Sequence, residues 1–444
     1  MSRRTFVAGA GALVGSAAVA TRASDAAAQR SPAGTVAAGV DPKRAAREAW
    51  IYALPLIEMA TTRARNLAAD PRQNVIHHQR RLSTPADRWL TAPNNDTLYS
   101  NGWLDLTDGP VTLTIPPMKG RYFCVPILNM YTDNEVVLSP RTIGEDGGVF
   151  TIVGPGQTGS GPNVVRVSTP HAWLFLRVLV DGPADLAAAH AAQDGFVLRG
   201  PEGRDLPAFA ARNAAAGDYF DSARRLLAAD PPSGMDALML RRTAALLGSK
   251  PVPGDDPAVA AGAAEARALI LGLAKQPPAL VQGWTYPAPN IGLFGQDYLL
   301  RAGVALAGLG ALPPAEAMYL GAADEHDRLI IEGDGPYRVT VPGDIPLDSF
   351  WSLTLYERVD GQQFLTENPI KRYSIGDRTP GIRRGADGSI EVWISRTDPG
   401  GERSANWLPS PRSGAYSLYL RCYLPRRTFI NGNWRMPRME RVST

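Results

Sequence analysis

Val111-Thr-Leu-Thr-Ile115 alternates apolar and polar residues with a period of two and stops at Pro116-Pro117. That period sends successive side chains to opposite faces, so the run reads as a half-buried β-strand. The same reading extends outward from it. Tyr122 to Leu128, Gly148 to Val153, Val164 to Val167 and Trp173 to Val180 are short apolar runs separated by Gly, Pro and Asp clusters. Many short strands at regular spacing predict a β-sandwich or jelly roll over Trp89 to Val180, not a parallel sheet. The pattern returns in Tyr337 to Val341, Phe350 to Tyr356, Ile390 to Ile394 and Tyr416 to Tyr423, with Asp387-Gly388 as a hairpin turn.

The remaining segments read as helix. Pro42 to Leu67 has Asp41 as cap, Pro42 in its first turn and apolar residues at helical spacing; Pro55 predicts a kink or break. Pro183 to about Ile331 is Ala-rich, with helices expected over Pro207 to Ala229, Met235 to Leu247, Asp256 to Leu273 and Pro314 to Ile331. The expected fold is mixed, mainly β with a helical insert: two β-sandwich, jelly-roll-like domains joined by an Ala-rich helical region. The boundaries are 42–182 for an N-terminal helix plus sandwich, 183–332 for the helical connection and 333–442 for the C-terminal sandwich. No sequence repeat is convincing enough to indicate duplication.

A chain of 444 residues with a formal charge of +3 has ample material for large cores and no block of like charge. Such a surface gives no electrostatic reason to expect nucleic acid or an anionic membrane as partner. Ser2-Arg3-Arg4-Thr5-Phe6, the apolar stretch Val7 to Ala20 and Ala26-Ala27-Ala28 read together as a twin-arginine export signal over 1–28. The expected partner of that segment is the twin-arginine export machinery, and the expected address is periplasmic or secreted. Past the signal no run is long enough for a membrane span. Homo-oligomerisation stays open. Cys124 and Cys422 read as buried free thiols in preference to a disulfide.

With these residues in place, the chain resembles the bacterial domain-of-unknown-function families 1254, N-terminal, and 1214, C-terminal. The first resemblance rests on Tyr52-Ala-Leu-Pro55, Pro93-Asn-Asn-Asp-Thr-Leu-Tyr-Ser100, Trp103-Leu-Asp-Leu106, Gly120-Arg-Tyr122 and Ile152-Val-Gly-Pro155. The second rests on Phe350-Trp-Ser-Leu-Thr-Leu-Tyr356, Asn368-Pro369, Arg372-Tyr-Ser-Ile-Gly-Asp-Arg378, Asp387-Gly-Ser389, Asn406-Trp-Leu-Pro409 and Leu420-Arg421. Asn129 and Glu357 stand where the pattern leads one to expect Asp. The resemblance implies two β-sandwich domains around a helical insert and an exported protein. It implies no mechanism.

The densest polar cluster is Pro93 to Tyr99. Asp96 and Tyr99 are the candidate catalytic pair, with Asn94 and Asn95 as orienting amides, because a carboxylate and a phenol held together can exchange protons. Arg121 and Arg372 are candidate anion clamps and Trp407 a candidate binding-site ring. Each also has a structural reading, as turn, ion pair or core. The five histidines lack metal-ligand spacing, so no metal and no cofactor is expected. Gly154-Pro-Gly-Gln-Thr-Gly159 matches a nucleotide motif by letters but precedes a strand, and reads as a hairpin loop. Two functions remain. One is a cofactor-free hydrolase or lyase acting on a small anionic or sugar-like substrate by carboxylate and tyrosine acid–base chemistry. The other is a non-catalytic envelope protein that binds a ligand or another protein.

Overall fold

The computed structural model describes residues 41–442 except 89, 90, 250, 252, 274–278 and 334. The export-signal reading of 1–28 lies outside the described residues. Helix α1 (Pro42–Asn66) opens the fold. The Asp41 side chain accepts from Lys43 N at 3.0 Å, and Arg63 and Arg65 sit in the last turn, where cations suit the helix dipole.

The first sandwich follows: β1 (Ile76–His78), β2 (Thr97–Asp105), β3 (Val111–Ile115), β4 (Phe123–Asn129), β5 (Asn134–Leu138), α2 (Pro140–Ile143), β6 (Gly148–Val153), β7 (Val164–Arg166), β8 (His171–Leu179), α3 (Leu186–Asp194) and β9 (Val197–Arg199). One sheet runs β1-β2-β8-β4-β5 and the other β7-β6-β3-β9. Leu98, Leu104, Leu174 and Val178 from the first pack on Leu113 and Ile152 from the second. The opposite face of the first sheet carries Trp103 and Trp173 into a helical core with α1.

That helical layer adds α4 (Ala216–Ala229), α5 (Ala237–Arg242), α6 (Ala244–Leu247), α7 (Pro257–Leu273) and α8 (Tyr298–Ala307), with a short pair β10 (Leu280–Val281) and β11 (Trp284–Thr285) between the last two helices. The second sandwich comprises β12 (Ala317–Gly321), β13 (Tyr337–Val341), β14 (Trp351–Val359), β15 (Gln362–Leu365), β16 (Ser374–Gly376), β17 (Ile390–Ser395), β18 (Trp407–Pro409), β19 (Tyr416–Tyr423) and, after α9 (Arg427–Ile430), β20 (Glu440–Arg441). Its sheets run β12-β19-β14-β15, with β16 also on β14, and β18-β17-β13-β20.

The two sandwiches have one topology. The order β2-β8-β4-β5 recurs as β12-β19-β14-β15, and β7-β6-β3-β9 recurs as β18-β17-β13-β20. In both, one pair is parallel, β6 with β7 and β17 with β18. The register repeats too: Arg177 lies between Tyr99 and Cys124, and Arg421 between Tyr319 and Ser352. Val180 N donates to Asp96 O at 3.0 Å, and Leu424 N to Glu316 O at 2.9 Å. The fold is therefore internally duplicated, which the sequence reading above did not detect.

Several expectations are corrected. Pro314 to Ile331 is not a helix. Ala317–Gly321 is strand β12, antiparallel to β19, so the second sandwich starts upstream of 333. A five-residue apolar run is ambiguous between the two states, and pairing with β19 decides it. Residues 207–215 lie outside α4, which starts at Ala216. α1 continues through Pro55, which packing on all sides of that buried stretch tolerates. The loop after Gly154 is not a hairpin, because β6 and β7 are parallel. Asp387-Gly388 is a tight turn but joins no hairpin, since β17 pairs with β13. The cysteines, by contrast, are as expected: both are buried free thiols.

Candidate functional site

Alternation along β2 and β8 sends Leu98, Leu104, Leu174 and Leu176 into the sandwich and the odd-numbered residues out of it. Those outward residues pair across the ladder as Tyr99 with Arg177, Asn101 with Phe175 and Trp103 with Trp173. Their rings stack: Trp103 on Trp173 at 5.4 Å, Trp173 on Phe175 at 4.4 Å and Phe175 on Tyr99 at 4.9 Å between centroids. The Arg177 guanidinium lies 4.4 Å from the Phe175 centroid and 5.6 Å from that of Tyr99. The Trp103 end is covered by helices, and the Tyr99 end borders a cavity of about 390 Å³. That is within the ~300–1,000 Å³ typical of small-molecule sites.

The second sandwich supplies another wall. Tyr319 of β12 and Arg421 of β19 are register partners, and both line the cavity with Tyr419. The Arg421 guanidinium is 5.8 Å from the Tyr319 centroid. The segment from Val304 to Ala311 closes a third side. Its Gly310 has φ +82°, and a Cβ there would come within 3.1 Å of Phe175 Cδ1 and Trp173 Cζ3, so glycine lets this backbone lie against the rings.

Both arginines are buried, at 5% and 7% exposure, and neither forms an ion pair among the described residues. Arg177 Nη2 donates to Gly310 O at 3.1 Å, and its Nε has no acceptor. Arg421 donates to Thr354 Oγ1 at 2.8 Å, to the Tyr356 hydroxyl at 2.6 Å and to Ala92 O at 3.4 Å. The pattern is reciprocal: each arginine bonds a carbonyl in the segment that leads into the tyrosine strand of the other sandwich. Burial pushes the Tyr319 hydroxyl up to about 12, so it stays a neutral donor. The cavity lining holds no Asp, Glu, His or Cys among the described residues. Nor do the described residues contain a group of His, Cys, Asp and Glu placed to hold a metal ion. No described helix is long and apolar enough to cross a membrane.

The sequence-derived site residues do not converge. Tyr99 and Asn94 line the cavity; Asn94 Nδ2 donates to the Tyr423 hydroxyl at 2.7 Å. Asp96 does not line it. Its Oδ2 accepts from Ser352 Oγ at 2.5 Å across the junction of the sandwiches, and burial pushes its carboxyl above the usual range despite Arg421 and the hydroxyls of Ser352 and Ser374. Its topological twin Glu316 bridges the same junction, accepting from the Tyr122 hydroxyl at 2.9 Å and Ser139 Oγ at 2.8 Å. Two acids doing the same joining work in the two repeats identify Asp96 as part of the junction. Asn95 Nδ2 donates to Ser83 O at 2.6 Å.

Arg121 is not an open clamp: it forks onto Asp185 with two 2.6 Å bonds. Arg372 donates to Ala405 O at 3.0 Å and Trp407 O at 2.8 Å, holding β18 in place. Trp407 is 4% exposed and donates to Ser395 O at 3.0 Å. None of these three borders the cavity.

The residues missed were Arg177, Arg421, Tyr319, Phe175 and Tyr419. A signal existed. Phe175-Leu-Arg177 and Tyr419-Leu-Arg421 each set one lone arginine in an apolar strand, two residues after a ring. Upstream, Pro93-x-x-Asp96-x-x-Tyr99 and Pro313-x-x-Glu316-x-x-Tyr319 share one spacing.

A crystal structure of the VPA0106 protein from Vibrio parahaemolyticus is similar at TM-score 0.70 and 22% identity, over 90% of this chain and 100% of that one, which shows a shared fold. A putative uncharacterized protein from Burkholderia cenocepacia matches at TM-score 0.46 and 13% identity, over 90% and 94%. No curated protein sequence matches the chain. Two family models do match, and they coincide with the two sandwiches: residues 73–200 carry the protein of unknown function family DUF1254 and residues 316–427 the protein of unknown function family DUF1214, in that order along one chain.

Proposed function

We propose that this is an exported protein that binds a small organic anion in the cavity between its two sandwiches. One observation carries the reading: Arg177 and Arg421 are buried at the cavity wall with no salt bridge among the described residues, and the Asp96 carboxyl whose charge acts on Arg421 stands outside the cavity, bonded to Ser352. Taking a guanidinium out of water costs several kcal/mol unless an anion and hydrogen bonds offset it, and guanidinium stays charged at any working pH. An incoming carboxylate or phosphate supplies that partner. The rings of Phe175 and Trp173 and the apolar side chains of Val304 and Leu309 suit a ligand with an apolar body.

Binding is supported over acid–base catalysis because the expected carboxylate, Asp96, is engaged with Ser352 outside the cavity. The address remains the one that residues 1–28 indicate. The test is calorimetric titration of the chain from Gln29 onward with simple carboxylates and phosphates, followed by chromatography of the ligand. Arg177→Gln combined with Arg421→Gln should weaken binding by about 10- to 100-fold or more, the range for charge-assisted hydrogen bonds. The ligand should be recovered intact. Unchanged affinity in the double variant, or turnover of the ligand, overturns the reading.

A further inference from the structure

Two walls of the cavity are copies of the same arrangement. Tyr99 and Arg177 are register partners in the first sandwich, and Tyr319 and Arg421 occupy the same topological positions in the second. The local geometry repeats, with guanidinium to ring-centroid distances of 5.6 Å and 5.8 Å. Phe175 and Tyr419 stand two residues before the respective arginines, and both line the cavity. Each arginine donates to a backbone carbonyl from the other repeat, Gly310 O or Ala92 O. The copies also adjoin, because the charge of Arg177 acts on Tyr319 as well as Tyr99, and that of Arg421 on Tyr99; they differ in that Asp96, bonded to Ser352 outside the cavity, also acts on Arg421.

Arg177 and Arg421 line one cavity, each beside its own tyrosine and without a salt bridge among the described residues, and a single carboxylate forked onto one of them leaves the other without that partner. We infer that the cavity is a paired half-site whose ligand carries two carboxylates on a short spacer, one taken by Tyr99 and Arg177 and the other by Tyr319 and Arg421. This rests on the anion-binding reading above and specifies the ligand class. The alternative arrangement is one oxyanion clamped by both arginines at once. The two differ in what a single arginine substitution does.

The experiment titrates benzoate, the three isomers phthalate, isophthalate and terephthalate, and phenyl phosphate, which places two charges on one head. At least one benzene dicarboxylate should bind about tenfold or more tighter than benzoate, the lower end of the range for a charge-assisted pair. Arg177→Gln and Arg421→Gln should each bring that isomer down toward the affinity of benzoate, and each should weaken benzoate by a smaller factor than the dicarboxylate, since one half-site remains. Tyr99→Phe and Tyr319→Phe keep the rings and remove only the hydroxyls. Each should weaken the dicarboxylate by about 2- to 10-fold, which keeps the test valid if an arginine variant folds poorly. The inference fails if no dicarboxylate exceeds benzoate, or if phenyl phosphate binds tightest and either arginine substitution alone removes benzoate. Those outcomes leave anion binding standing. Failure of every anion to bind overturns both readings.

Discussion

Arg121 shows how a residue that reads as an anion clamp becomes a structural pair. Its fork on Asp185, with the Asp181 backbone N–H also donating to that carboxyl, holds Asp185 below the usual carboxylate range. The sign follows. A carboxylate whose folded pKa lies below its unfolded value of ~3.9 contributes stability that is fully present above that value. The contribution is lost as pH falls through the lower, folded value. Arg121→Gln should therefore cost about 1 kcal/mol at neutral pH, allowing for solvent screening, and should flatten the fall in melting temperature between ~pH 4 and ~pH 2. Melting curves at stepped pH check this; an unchanged acid limb refutes it. Asp96 belongs to the opposite class. Burial raises its carboxyl, so its contribution favours the folded state at low pH and declines as pH rises through the raised value.

At the scale of elements, close approaches decide what packing allows. α7 crosses α1 at Gly262, where a Cβ would lie 2.2 Å from Lys43 O and 2.8 Å from Ala46 Cβ. Backbone cannot yield there as a side-chain end would. Gly262→Ala gains about 1 kcal/mol of helix propensity but must push the helices apart. The expected net result is a loss of about 1–3 kcal/mol, the usual cost of overpacking, measured by urea unfolding; equal or greater stability would show that the crossing relaxes. The same scale explains the misread at Ala317–Gly321. Its five residues fit either a helix or a strand, and only the ladder to β19 makes it a strand.

For the whole molecule, the junction between the sandwiches is a packed core as well as a hydrogen-bonded seam. Cys124 lies in it with Tyr122, Phe350 and Tyr423, and Cys422 lies in the core of the second sandwich. Burial pushes both thiols far up, so they are neutral as well as shielded. A water-soluble disulfide reagent should find no reactive thiol in the native chain and two in denaturant, with modification following unfolding. Rapid reaction of either thiol in the native chain would show that the junction opens locally.

What the sequence determined by itself is local. β3, β6, β13 and β19 run where the two-residue alternation and its bounding Gly and Pro place them, because strand faces are set by nearest neighbours along the chain. The helix starting at Pro42 and the order of β, helical and β segments were legible for the same reason. Tertiary structure alone decided the rest. The shared topology of the sandwiches is written in hydrogen-bond registers, which many sequences satisfy, so only short matched spacings such as Pro93-x-x-Asp96-x-x-Tyr99 and Pro313-x-x-Glu316-x-x-Tyr319 mark it in the sequence. The arginines left a faint trace, each two residues after a ring, but the cavity's chemistry is cross-strand: Tyr99 meets Arg177 and Tyr319 meets Arg421 only once β2 lies on β8 and β12 on β19. Asp96 stood out in the sequence as a polar cluster, but whether such a carboxylate faces a ligand or a Ser352 hydroxyl depends on which surface the second sandwich covers. That is a property of long-range packing, and no local pattern encodes it.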